Sequence, residues 1–292
     1  MKHEKRDSAS RSHLRPRPSR VRAKKSLGQN FLVDDNVIAK IISALNPRRG
    51  ETIVEIGPGH GALTSSLVKT ESRIVAIELD RDLVPLLRRE FSAYDNFVLV
   101  EGDAISVDYC LAIGPVHTAR VVANLPYNIS TVIIQRLLEQ RECISEMVLM
   151  LQREVAARIT AQPSTSDRGY LSVLVEAYAE VEKLFDVDPT AFRPSPKVWS
   201  TVVRLKPRPR LAVDVKDEAS LWRLVSAGFA QRRKTILNNL RNTVNLLAIG
   251  TPESAVIIRL LESSGIEARR RAESLTLEEW ARLANAIEVI GL

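Results

Sequence analysis

The chain has 292 residues, 45% of them apolar and 26% charged, with a mean hydropathy of −0.06. That is enough for one large domain and a smaller one, and it excludes fibrous and wholly disordered chains. No uncharged stretch approaches a bilayer span, and the net charge of +7 is concentrated near the start.

Residues 1–25 hold ten Lys/Arg against Glu4 and Asp7. This Ser/Arg/Pro-rich arm, residues 1–24, lacks apolar periodicity and is predicted to be disordered. It has no apolar core of a secretory signal, and Glu4, Asp7 and the missing amphipathic pattern argue against a transit peptide. An arm that contacts nucleic acid and a solvated tail both stay open. The two cysteines, Cys110 and Cys143, show no CxxC or Cys/His spacing. They fit a reduced, cytoplasmic compartment with neither a disulfide framework nor a metal.

A helix is predicted over Asp34–Leu45, capped by Asp34 or Asp35. From residue 52, short β-rich runs alternate with helical patterns. Thr52–Ile56, Arg73–Leu79, Phe97–Val100, Arg120–Leu125 and Glu146–Leu151 read as strands, and Ala62–Lys69, Asp82–Glu90, Thr131–Gln140 and Arg153–Ala161 as helices. Such alternation predicts an α/β fold, a Rossmann-like parallel sheet wound on both faces, with ligands outside the carboxyl ends of its strands. Two more strands are predicted at Ala179–Val187 and Val198–Leu205. Pro207-Arg208-Pro209-Arg210 then breaks the pattern, and helices follow near 218–230, 232–247, 252–264 and 276–289. The expected division is an arm (1–24), a sheet domain (25–207) and a smaller all-helical domain (208–292).

Three successive strand ends carry chemistry. Gly57-Pro58-Gly59-His60-Gly61 follows the first strand, in a spacing unlike the dinucleotide fingerprint G-x-G-x-x-G. Glu78 ends the second strand, where a carboxylate can accept both hydroxyls of a ribose. Asp103 ends the third, in reach of an adenine amino group. A glycine turn, a ribose acid and an adenine acid suit a nucleoside cofactor without phosphates, such as S-adenosylmethionine. Each alone could also be a tight turn, an exposed acid or a helix cap.

Asn124-Leu125-Pro126-Tyr127 ends the fourth strand. The Asn124 side-chain oxygen and the Leu125 carbonyl can both accept from an exocyclic amine. Pro126 stiffens the turn, and Tyr127 can stack on a base swung out of its helix. An adenine amine is a poor nucleophile because its lone pair is delocalised, and two acceptors favour its tetrahedral form. The plainer reading is a strand-end turn over a buried tyrosine.

Two long windows lack acids, 189–213 and 219–252. They hold, among others, Lys206 and Arg208, and Arg232, Arg233 and Lys234. This favours a polyanion surface.

Assembled, these residues resemble the KsgA/Dim family of rRNA adenine dimethyltransferases, from about Lys25 to the C-terminal helices. Gly28-Gln29-Asn30-Phe31-Leu32 matches the family's opening signature, and the resemblance implies that Asn30 and Leu32 close over the methionine end of the cofactor. Gly57, Gly59, Glu78, Asp103 and Asn124 fall on its cofactor positions, and Asn124–Tyr127 on its catalytic motif. Phe192-Arg193-Pro194-Ser195-Pro196-Lys197-Val198 matches its F-x-P-x-P-K-V loop, implying that Phe192 stacks on the target base opposite Tyr127. Gln231-Arg232-Arg233-Lys234-Thr235 matches a basic stretch of its C-terminal domain.

The resemblance further implies dimethylation of two adjacent adenosines in a hairpin loop near the 3′ end of small-subunit rRNA, on a pre-ribosomal 30S particle. A monomer is expected. His60, where the family has an aliphatic residue, is expected to matter only for packing. Trp199, where it often has Asp, is expected to cover core. Arg168 and Tyr170 cannot be matched to its Tyr-Gly-Arg-Leu-Ser segment. The alternatives are an Erm-type large-subunit rRNA methyltransferase, which typically has Ile for Leu125 and lacks Arg-Arg-Lys-Thr, and a non-catalytic nucleic-acid binder of the same fold.

Overall fold

The computed structural model describes residues 22–24, 27–242 and 254–289. Most of the basic arm and the end of the helix predicted at 232–247 lie outside them.

In chain order the elements are β1 (Phe31–Leu32), α1 (Asp35–Leu45), β2 (Thr52–Ile56), α2 (Thr64–Leu67), β3 (Arg73–Glu78), α3 (Val84–Glu90), β4 (Phe97–Glu101), α4 (Tyr109–Ala112), β5 (Ala119–Asn124) and α5 (Ser130–Glu139). They continue with β6 (Ile144–Gln152), α6 (Arg153–Ile159), α7 (Tyr170–Tyr178), β7 (Ala179–Val187), β8 (Phe192–Arg193), β9 (Ser200–Pro207), α8 (Glu218–Gly228), α9 (Ile236–Arg241), α10 (Ser254–Ser263) and α11 (Leu277–Val289). Short polar side chains set several helix starts. Asp34 caps α1 by accepting from the Asn36 and Val37 amides, and Asp217 caps α8 through Ala219 and Ser220.

Seven strands form one sheet in the order β4-β3-β2-β5-β6-β9-β7. Pairing is parallel from β4 to β6, while β9 runs antiparallel to both β6 and β7. Alternate residues feed two cores. Val54, Val75, Val121 and Leu149 face α5, α7 and the C-terminal helices, while Ile53, Ile74, Val122 and Val148 face α1 and α3. Burial on both faces explains why β2 reads as an apolar run apart from Thr52 and Glu55, both of them buried. The strand order reverses between β2 and β5, the place where open α/β sheets bind ligands.

The predicted strands are present within two residues at each end, and the fold class stands. Only Thr64–Leu67 of the helix predicted at 62–69 is helical, and the glycine turn runs into it. Helix α7 is invisible to pattern reading, because Val173 and Val175 favour strands. Leu171–Val175, Ala177 and Tyr178 are all buried, so tertiary packing overrides local preference there. The Tyr178 ring stacks on Trp222 of α8 and its hydroxyl accepts from the Trp222 indole N–H at 2.9 Å.

The cysteines overturn an expectation. Cys110, in α4, and Cys143, just before β6, are joined by a disulfide with their Cα atoms 5.5 Å apart. Their separation of 33 residues gave no pairing signal in the sequence. Arg168 and Tyr170 are structural. The buried Arg168 guanidinium pairs with Glu176 at 2.7 Å and Tyr170 packs edge-on against Trp222. No helix among the described residues is long and apolar enough to cross a membrane.

Gly228 ends α8 against the fully buried Trp280 of α11, and a Cβ there would lie 2.4 Å from the indole ring. Gly228→Ala is expected to cost about 1–3 kcal/mol of stability by overpacking, measured by urea denaturation followed through tryptophan fluorescence.

Candidate active site

The carboxyl ends of β2, β3 and β5, with the turn after β4, surround an open cavity of about 250 Å3. Its lining includes Asn30, Gly57, Gly59, Glu78, Asp103, Asn124, Leu125, Pro126 and Tyr127. The shared register explains the convergence. Ile56 of β2 pairs with Ile77 on one side and Ala123 on the other, so Gly57, Glu78 and Asn124 each come next along their strands.

Gly57 and Gly59 have φ of +67° and +59°, and a Cβ on Gly57 would meet nothing within 4 Å. The turn therefore leaves an open cradle against bare backbone. The Glu78 carboxylate accepts from the Gly59 amide at 3.1 Å and the Asp80 amide at 2.8 Å, which ties the second strand end to the glycine turn. Burial pushes the Glu78 carboxyl up, against the pull of those amides. Asp103 accepts from the Ile105 amide at 2.9 Å, which orients its carboxylate at the rim.

At the other wall, the Asn124 side-chain NH2 donates to the Asn30 carbonyl at 3.0 Å. A carbonyl can only accept, so the amide must present its nitrogen to Asn30 and keep its oxygen for another donor. No donor among the described residues bonds the Leu125 carbonyl. Its amide is held by Met150 at 3.1 Å, extending the β5–β6 pairing into the turn. The Tyr127 hydroxyl and Ser200 Oγ lie 2.7 Å apart, fixing the ring at the mouth. Burial raises the Tyr127 phenol, so it stays protonated at neutral pH.

Some expected residues lie elsewhere. Phe192 is fully buried, paired through β8 with Leu32 of β1, and does not line the cavity. In this structure it cannot stack on a base, because its ring belongs to the core beneath β1. Leu32 is also buried and supports the wall from behind. Trp199 is 44% exposed rather than covering core, and its carbonyl accepts from the Arg153 amide at the pocket end of the sheet. Lys206 and Arg208 sit at the far end of the sheet, since β9 runs antiparallel from Ser200 beside Gln152 to Pro207 beside Ala179. Arg208 is also paired with Glu180 at 3.0 Å. That position is remote from the cavity, whereas Arg193 and Lys197 of the same acid-free window are exposed at the cavity end. Arg232, Arg233 and Lys234 are exposed between α8 and α9, with no ion-pair partner among the described residues.

With the geometry in place, the comparisons are informative. The family model for ribosomal RNA adenine dimethylase matches residues 20–288. The chain belongs to that family. A protein of Geobacillus sp. named ribosomal RNA small subunit methyltransferase A is 45% identical over 269 residues, covering 91% of both chains. Its namesake in Hahella chejuensis is 42% identical over 265 residues, covering 91% of this chain and 93% of that protein. Among solved structures, a dimethyladenosine transferase from Plasmodium falciparum aligns over 90% of this chain and 98% of its own, with a TM-score of 0.75 at 24% identity, a likeness of fold. The 23S rRNA methyltransferase ErmE aligns with a TM-score of 0.64 at 25% identity, covering 89% of this chain and all of its own.

Sequence reading missed Glu55. It lies fully buried beneath the glycine turn, accepts from the Thr64 hydroxyl at 2.7 Å, and burial pushes its carboxyl up to about 7. The only signal was an acid inside an apolar strand. Because the folded state favours the protonated form, native protein holds more protons than unfolded chain between pH 4.5 and 7. Stability is therefore highest below that window and falls as pH rises through it. Glu55→Gln keeps the acceptor for Thr64 and is expected to flatten this loss. Its thermal stability relative to the parent should improve from pH 5 to pH 8 by on the order of 3 kcal/mol, read by scanning calorimetry at both values.

Proposed function

We propose that this enzyme dimethylates the exocyclic amines of two adjacent adenosines in a hairpin loop near the 3′ end of small-subunit rRNA, on a pre-ribosomal 30S particle. It acts as a monomer in the cytoplasm, where a Cys110–Cys143 bridge is an uncommon feature. Residues 25–207 are assigned to cofactor binding and chemistry, and 208–292 to grip on RNA.

The methyl donor is S-adenosylmethionine, and the donor set fits it. Glu78 offers a carboxylate to ribose hydroxyls, Asp103 one to the adenine amine, and the open cradle at Gly57 lets a ligand pass against the backbone. The G-x-G-x-G spacing of the turn, unlike the dinucleotide G-x-G-x-x-G, suits a cofactor without pyrophosphate. When bound, S-adenosylmethionine supplies a methyl group on a sulfonium, whose departure as a neutral thioether needs no strong base.

The chain's own part is positioning. The observation that carries this reading is the Asn124 amide, whose nitrogen is taken by the Asn30 carbonyl. Its oxygen and the Leu125 carbonyl then face the cavity as two acceptors for one NH2 group. Two such hydrogen bonds favour a pyramidal amine with its lone pair free to attack, and orientation in a preformed cleft lowers the barrier further. The amine that takes up the methyl group would release its surplus proton to solvent, since Asn124 and the Leu125 carbonyl can hold the amine but carry no base. Tyr127 stacks against the base, and Pro126 keeps the turn from relaxing. A second round needs the amine to turn so that its remaining hydrogen still reaches an acceptor.

The small-subunit reading is preferred because relatives at 42–45% identity carry that name, whereas ErmE is 25% identical. Leu125 in place of the Ile typical of Erm-type enzymes and the Gln231–Thr235 stretch support the same choice. An intact Asn124–Tyr127 and Glu78 argue against a purely binding relative.

Labelled methyl transfer to under-methylated small subunits, run beside large-subunit rRNA and DNA, tests the substrate. Label on large-subunit rRNA alone sinks the assignment. Asn124→Ala is expected to lower kcat by at least two orders of magnitude with RNA binding within about threefold of the parent, by single-turnover assay and filter binding. Replacing Arg232, Arg233 and Lys234 with Ala should weaken RNA binding and reduce the slope of log K against log salt by about 2. An unchanged slope moves the RNA surface away from the α8–α9 turn.

A further inference from the structure

The cavity has a wall that the strand ends do not build. Leu27–Phe31 crosses its mouth, and what fixes this strap is a buried carboxylate two residues beyond Glu78. The Asp80 side chain has no solvent exposure. One of its oxygens accepts from Lys24 Nζ at 2.5 Å and the Asp82 amide at 3.0 Å, and the other from Gln29 Nε2 at 2.9 Å. Gln29 closes the loop, since its Oε1 accepts from the Lys24 amide at 2.8 Å. Burial opposes ionisation of Asp80, but the Lys24 ammonium, the Gln29 amide and the Asp82 N–H outweigh it and hold the carboxyl below the usual range. A buried charge is retained at such a cost only where its partners are in place.

The same strap is tied at three further points. The Asn30 carbonyl takes the Asn124 amide, Phe31 packs on His60 with ring centroids 4.0 Å apart, and β1 pairs with β8. One end thus reaches the loop carrying the ribose acid and the other the amide expected to hold the target amine. Asp80 joins them, because its backbone N–H donates to Glu78 while its side chain holds Lys24 and Gln29.

We infer that Asp80 is a positioning residue that latches Lys24 and the strap of residues 27–31 across the cavity, so that cofactor enclosure and the orientation of the Asn124 amide are set by one buried anchor. This rests on the methyltransferase reading of the cavity, and it assigns Asp80 and Lys24, which do not line the cavity, a task separate from direct contact with cofactor or base. Loss of the anchor frees the Asn30 carbonyl to drift, and the Asn124 amide can then rotate and offer N–H where an acceptor is needed.

Asp80→Asn keeps the shape and removes the charge. It is expected to raise Kd for S-adenosylmethionine by tenfold or more in calorimetry, and to lower kcat at saturating cofactor. It should also speed hydrogen–deuterium exchange of the 27–32 amides while exchange in β2 and β5 stays at the parent's rate. Lys24→Ala removes the outer partner of the pair and should move all three readouts in the same direction. Lys24→Arg should restore them, and these variants carry the test if Asp80→Asn does not fold. The inference fails if Lys24→Ala and a folded Asp80→Asn bind cofactor within twofold of the parent. It fails equally if affinity falls while 27–32 exchange is unchanged, because Asp80 would then act through Glu78 alone. Binding and exchange need no RNA. A parent that binds cofactor under a protected strap yet leaves small-subunit rRNA unmethylated sinks the proposed function and leaves the latch standing.

Discussion

Parallel hydrogen-bond register across β4, β3, β2 and β5 is the constraint from which the rest of the site follows. Adjacent parallel strands held in step must end in step. Residues at or just past their ends are then neighbours in space, although Gly57, Glu78, Asp103 and Asn124 are spread over the sequence. Burial on both faces enforces the register, because a slip of one residue would send Ile53, Ile74 and Val122 to the wrong core. Precision at the site is thus inherited from packing that never touches a ligand.

The same logic explains which parts of the molecule were legible in the primary structure. Buried parallel strands leave unmistakable apolar runs, and glycines and acids at their ends mark the rim, so the sheet and the residues that meet around its cavity could be read directly. Pairings across long separations could not. The Cys110–Cys143 bridge, the anchoring of Lys24 and Gln29 on Asp80, and the joining of β1 to β8 depend on folding geometry that no local spacing encodes. Helix α7 failed for a different reason, since its valines favour strands and only burial between sheet and C-terminal helices makes it helical.

Phe192 and Arg208 show the limits of matching residue types to tasks. A motif position specifies a place on the chain, whereas exposure specifies what that side chain can touch. Phe192 lies beneath β1, and Arg208 lies a full strand length from the cavity and is neutralised by Glu180. At the cavity end, Arg193 of β8 and Lys197 and Trp199 of the loop leading into β9 are exposed.

Pairing of Phe31–Leu32 with Phe192–Arg193 also bears on the order of events during synthesis. The strap's partner strand emerges some 160 residues after it, behind β2 through β7. A nascent chain stopped before β8 can already form the parallel part of its sheet and anchor Lys24 and Gln29 on Asp80, but it has no strand to pair with β1. The strap's hydrogen-bonded edge is therefore completed only by a long-range pairing, after the strands that build the cavity have been made.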